Sequence, residues 1–153
     1  MTANQELTGF LKKYHPNMIA SAKKALAKMR KLVPGATEMV YDNYNALVIG
    51  FGPSEKASLA VFSLALLPDH ISLCFLQGAG LPDPGKRLLG SGNVARHVKL
   101  LPLGVLDEKE ILELITVAMN RAKEPFDPKQ KRKMVIKSIS KKQRPRRPAS
   151  KTK

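Results

Sequence analysis

The feature that most constrains this chain is a pair of apolar runs separated by a two-residue turn. Residues 58–67 alternate with a period of two, and apolar side chains fall on both faces of the run. Pro68 and Asp69 are turn residues, and residues 70–77 form a second run of the same kind. The pattern predicts a β-hairpin whose first strand lies inside a sheet, because such strands are covered on both faces.

The remaining periodicity predicts helices on either side of a run of strands. A weak helix is expected over residues 6–14, a stronger one over 17–33, and a third from the N-cap Asp107 to residue 122. Further strands are expected at residues 38–41, 46–51 and 96–101. Short turns join most of these strands. We therefore expect an α+β fold with an antiparallel sheet of about five strands and helices packed on one face.

Charge divides the chain into two parts. Residues 1–122 carry 14 Lys/Arg against 10 Asp/Glu, whereas residues 123–153 carry 13 against 2. We interpret residues 1–122 as the domain and residues 123–153 as a basic, largely disordered tail, with residues 140–153 lacking any face to bury. Met134, Val135, Ile136 and Ile139 are the exception, and they predict one short docked segment.

Composition also argues against several classes of protein. Cys74 is the only cysteine, so an internal disulfide and a multi-cysteine zinc site are excluded. The N-terminus has no apolar signal region, and the longest apolar stretch, residues 59–67, is too short to span a bilayer. We expect a cytoplasmic protein with no membrane span.

Several short motifs resemble a known family. They are Tyr14-His15-Pro16, L-V-P-G-A-T-E at residues 32–38 followed by Val40-Tyr41, L-P-D-P at 81–84, L-G-S-G at 89–92 and R-H-V at 96–98. In order and spacing they resemble the YdhG-like family, a bacterial domain of unknown function with a frataxin-like arrangement. The resemblance implies two helices on one face of an antiparallel sheet, and it implies no catalytic residue and no cofactor.

One branch of that family is similar to frataxin-like iron chaperones, which implies an intracellular iron carrier as an alternative function. Such proteins hold iron on an acidic ridge of the first helix. Here the helix predicted at residues 17–33 has five Lys/Arg and no Asp/Glu. A cationic surface repels iron ions, so this departure argues against the iron role.

The loop at residues 78–94 contains two near-matches to nucleotide-binding motifs. Residues 80–87 differ from a Walker A motif at Arg87, which replaces the magnesium-binding Ser/Thr, and Pro82 and Pro84 remove two N–H donors. Residues 90–95 mimic a dinucleotide-binding turn but precede a strand instead of a helix. A milder hypothesis is an anion site built from loop amides and cations, and its candidate residues are Lys86, Arg87, Ser91, Asn93, Arg96 and Lys99. The alternative is a structural loop with solvated charges.

Neither the histidines nor the cysteine suggests catalysis or metal binding. His15, His70 and His97 are far apart in sequence, and Cys74 alternates with apolar residues inside a strand, as a buried small side chain would. No catalytic residue is predicted, and we expect a non-enzymatic binding or accessory protein whose small-molecule ligand, if it has one, is unknown.

The tail suggests a polyanionic partner. Dense cation runs give sequence-independent, salt-dependent affinity for nucleic acid, and no interleaved aromatic residues suggest base stacking. The candidate residues are Lys131, Arg132, Lys133, Lys141, Lys142, Arg144, Arg146 and Arg147. The alternative is a solubilising tail without a dedicated partner.

Overall fold

A computed structural model describes residues 1–147 as three α-helices and one six-stranded mixed sheet. The helices are α1 (Ala3–Leu11), α2 (Pro16–Leu32) and α3 (Lys109–Asn120). The strands are β1 (Thr37–Asp42), β2 (Leu47–Gly52), β3 (Phe62–Leu66), β4 (Ile71–Phe75), β5 (Arg96–Lys99) and β6 (Lys133–Ile139). Their order in the sheet is β5-β4-β3-β2-β1-β6.

The α+β class is confirmed, but the prediction of an antiparallel sheet of about five strands is wrong. Four neighbouring pairs are antiparallel, whereas β6 joins β1 in parallel as a sixth strand. The predicted hairpin is confirmed as β3–β4, and β3 is an interior strand between β2 and β4. It is shorter than predicted because residues Ala57–Leu59 form a 3-10 helix.

The core lies between one face of the sheet and the helices. Val40, Ile49, Leu64 and Leu73 are cross-strand neighbours on this face, and all are buried in one cluster with residues from α1, α2 and α3. On the other face, Tyr41, Val48 and Ala65 form a row that is only half-buried. The helices therefore cover one face of the sheet, while Met39 and Ser63 on the other face are also buried.

Local signals explain where the helices begin and end. Thr2 and Gln5 form a reciprocal capping box at the start of α1. Pro16 stands at the first position of α2, and Gly35, with φ of 78°, follows the end of that helix. The N-cap predicted at Asp107 is wrong, because Leu103–Asp107 is a 3-10 helix and the Asp107 carboxylate lies 2.8 Å from Lys28 Nζ instead.

The segment predicted to be a basic, largely disordered tail contains the strand β6. β6 hydrogen-bonds along β1, and Met134 and Ile136 pack against the core, so the predicted docked segment is a full strand of the sheet. The boundary predicted at residue 122 therefore separates β6 from its own sheet. The composition of β6 does not reveal its strand partner, which lies about 95 residues earlier in the chain. Residues 148–153 of the predicted tail lie outside the described residues.

Candidate nucleic-acid interface

β6 and the residues around it form a basic edge to the molecule. Ten Lys and Arg side chains and no carboxylate occur between residues 129 and 147. β6 is the last strand of the sheet, and its outer side pairs with no other strand among residues 1–147. Because an edge strand presents its side chains and backbone to solvent, these cations are accessible to a large partner.

Most of the predicted tail residues are free cations in this arrangement. Five are exposed and have no ion-pair partner within the described chain, namely Lys131, Lys141, Lys142, Arg144 and Arg147. Arg132 lies 3.8 Å from the Glu38 carboxylate, and Lys133 forms an ion pair with Glu55. The hydrogen bond from Lys133 is the main reason why the pKa of Glu55 is lowered.

Arg146 differs from its neighbours because its side chain is buried. Its guanidinium donates a 2.9 Å hydrogen bond to the Tyr14 hydroxyl and a second one to the Asn43 carbonyl, and it lies 3.1 Å from the Asp42 carboxylate. Lys13 Nζ contacts the other oxygen of Asp42 at 2.7 Å. Arg146 is therefore buried in this structure and does not belong to the exposed cations.

Tyr14 is the centre of this buried cluster. Its hydroxyl donates to the Leu66 carbonyl at 2.6 Å and accepts the Leu47 N–H at 3.1 Å, which ties the end of α1 to β2 and β3. Burial raises the pKa of Tyr14, and the hydrogen bonds from Leu47 and Arg146 partly oppose that rise. In the sequence, Tyr14 stands out only as the end of the helix predicted over residues 6–14 and the start of the Tyr14-His15-Pro16 motif, and neither feature indicates its contact with Arg146.

In the loop at residues 78–94, the Asp83 carboxylate takes the place that a bound anion would occupy. It accepts the backbone N–H groups of Arg87 at 2.9 Å and Leu88 at 2.8 Å. The Arg87 guanidinium pairs with Glu108 at 2.7 Å and with Glu110 at 3.3 Å. These carboxylates neutralise the part of the loop that resembled a phosphate cradle.

The other candidate anion-site residues are spread around the loop. Arg96 donates to the carbonyls of Gly92 and Ala95, which holds the turn formed by residues 92–95. Lys99 is three residues further along β5 and so lies on the opposite face of the sheet from Arg96. Lys86, Ser91 and Asn93 are exposed. The structure does not gather the six residues into one concavity, and the anion site stays a prediction.

Residues 1–147 contain no group of three or more His, Cys, Asp or Glu side chains placed to hold one metal ion. No helix in the described part of the chain is long and apolar enough to cross a membrane.

Cys74 lies in β4 opposite Ser63 and His97, and burial raises the pKa of its thiol.

One surface cavity has a volume of about 350 Å³ and is lined by both polar and apolar side chains. It lies between residues 58–61, the end of β4 and the end of α3. Its lining includes the cations Arg121 and Lys123 but no carboxylate, imidazole or thiol from the described chain. Arg121 donates to the Gly80 carbonyl at 2.7 Å, so its position is set by the loop. The cavity offers no acid–base pair for catalysis.

In comparisons with known proteins, no family model, no curated protein and no solved structure matches the chain significantly. The resemblance to the YdhG-like family therefore stays a prediction that rests on the short motifs alone.

Proposed function

We propose that this chain is a non-enzymatic nucleic-acid-associated protein that binds phosphate backbones along the β6 edge. The observation that carries the proposal is the set of exposed cations without an ion-pair partner in the described chain, which lie at both ends of one edge strand. Cytoplasmic nucleic acid is the polyanion that the predicted location makes available. The resemblance to a family of accessory domains is compatible with such a role.

The dimensions of the edge suit a nucleic-acid backbone. β6 has seven residues, which extend about 23 Å. One strand of duplex DNA places about seven phosphates along that length. Lys131 precedes β6, and Lys141 and Lys142 follow it, so the free cations span several phosphates.

Lysines on an edge strand also have a simpler role, because they prevent two sheets from pairing edge to edge. That role requires no ligand and predicts that other lysines on the surface attract DNA equally well. The two explanations differ in whether removing charge near β6 weakens DNA binding more than removing the same charge elsewhere on the surface.

The test is fluorescence anisotropy with a labelled DNA duplex at several salt concentrations. In the triple variant K131Q/K141Q/K142Q, the slope of log K against log salt should fall by about three. The matched control is K23Q/K24Q/K31Q, which removes the same charge from exposed positions of α2.

The control should keep the slope of the original protein. Equal losses in the two variants would show that net charge alone attracts DNA, and the proposal would fail. A full chain without salt-dependent binding would also refute it.

A further inference from the structure

The Arg146 guanidinium lies in a recess formed by groups that can each bind a guanidinium. Asp42 supplies a carboxylate that is fully buried, and the Tyr14 hydroxyl and the Asn43 carbonyl accept two hydrogen bonds. The Tyr14 ring also lies 5.4 Å from the guanidinium carbon. Charge, hydrogen-bond acceptors and an aromatic face are the set that suits a planar, delocalised cation.

Only polar contacts hold the segment that carries Arg146. Residues 140–147 include no apolar side chain other than Pro145, which is exposed. The backbone N–H of Ser140 bonds to Asp42, that of Arg144 bonds to Tyr44, and the Gln143 side chain bonds to Lys13 and Asp42. Such contacts exchange readily with water, so the segment can open while the apolar core stays closed.

The fit of Arg146 in the recess is incomplete. Its Nε is buried without a hydrogen-bond partner within the described chain, and the Asp42 Oδ1 atom has only the 3.1 Å ion-pair contact with the guanidinium, which is not a well-formed hydrogen bond. A buried polar atom without a partner lowers the stability of the closed state. The closed position of Arg146 is therefore less stable than a fully hydrogen-bonded one would be.

We propose that Tyr14, Asp42 and the Asn43 carbonyl form an arginine-recognition site, which the chain's own Arg146 fills until a basic peptide displaces it. The ligand class is an extended peptide with an arginine in a Pro-Arg context, because residues 144–147 present that sequence to the site. The proposal does not depend on nucleic-acid binding, since the site lies beneath the cationic edge and recognises a cation.

The experiment uses the full chain carrying R146A and a labelled synthetic peptide of residues 140–147. The peptide should bind R146A saturably at physiological salt, and the double variant D42N/R146A should bind it more than about tenfold more weakly. A peptide with Arg146→Lys, which has the same charge without the planar fork, should also lose more than about tenfold. The wild-type chain should bind the peptide more weakly than R146A does, because its own arginine competes.

The outcome that would overturn the proposal is equal binding of the two peptides, or equal binding by R146A and D42N/R146A, since either would mean that net charge alone acts. A folded R146A chain that binds no peptide would also overturn it. If circular dichroism finds R146A unfolded, ethylguanidinium should restore its cooperative melting, whereas ethylammonium at equal ionic strength should not. Failure of that rescue would refute the site.

Discussion

Arg30 donates two hydrogen bonds, of 2.7 and 2.8 Å, to the fully buried carboxylate of Glu38. The pair joins α2 to β1 and neutralises a charge on the core side of the sheet. A buried carboxylate that loses its partner keeps its desolvation cost without compensation.

We therefore expect R30A to lower the free energy of unfolding by about 3 kcal/mol, measured by urea denaturation at pH 7. The control is R132A, because Arg132 lies 3.8 Å from the same carboxylate and its side chain is 53% exposed. Its effect should be below about 1 kcal/mol. Similar losses in the two variants would contradict the assignment of Arg30 as the main partner of Glu38.

Tyr14→Phe should destabilise the protein by about 1–3 kcal/mol, because the Leu47 N–H, the Leu66 carbonyl and Arg146 all lose a buried partner. Tyr44→Phe is the matched control, since Tyr44 is 50% exposed and should change stability by less than about 0.5 kcal/mol. Thermal or urea unfolding measures both. If Y14F were as stable as Y44F, the buried hydroxyl would not hold these elements together.

Cys74 should react with iodoacetamide more slowly in the folded protein than in the urea-unfolded chain at pH 8, because burial raises the pKa of its thiol and less thiolate is present. The neutral thiol is favoured in the fold, so stability is retained below the unfolded pKa of about 8.5 and is lost as pH rises through the higher folded pKa. The difference in unfolding free energy between the original protein and C74A should therefore shrink above about pH 8.5. Identical alkylation profiles for folded and unfolded chains would disprove the shift.

Asp83→Ala should loosen the loop at residues 83–88 without unfolding the sheet, because only two backbone N–H groups lose their acceptor. Limited trypsin digestion should then cut faster at Lys86 and Arg87. D83N keeps one carbonyl oxygen as an acceptor and should show an intermediate rate. Digestion of D83A at the original rate would show that the carboxylate does not order the loop.

The sequence correctly predicts the elements whose structure depends on residues that are close together in the chain. The β3–β4 hairpin follows from alternation on either side of Pro68-Asp69, and α2 follows from its apolar spacing up to Pro34-Gly35. The pairing of β6 with β1 could not be predicted from the sequence, because the apolar neighbours of Met134 and Ile136 are brought together only when the sheet forms.

The buried cluster was beyond sequence reasoning for the same reason. Arg146 stands in a run of cations that is typical of solvated segments, and its partners Tyr14 and Asp42 are more than 100 residues away. A carboxylate at the end of a strand and a tyrosine after a helix each have many ordinary explanations. Only the fold brings the three side chains together.

The parallel pairing of β6 with β1 also has a consequence for synthesis on the ribosome. Among residues 1–147, every other strand and helix is made before β6, so the outer edge of β1 has no partner strand while the rest of the fold takes shape. An uncovered edge can pair with another nascent chain. Pairing of β6 with β1 therefore replaces an edge that can associate with other chains by one that carries cations, which disfavour such pairing.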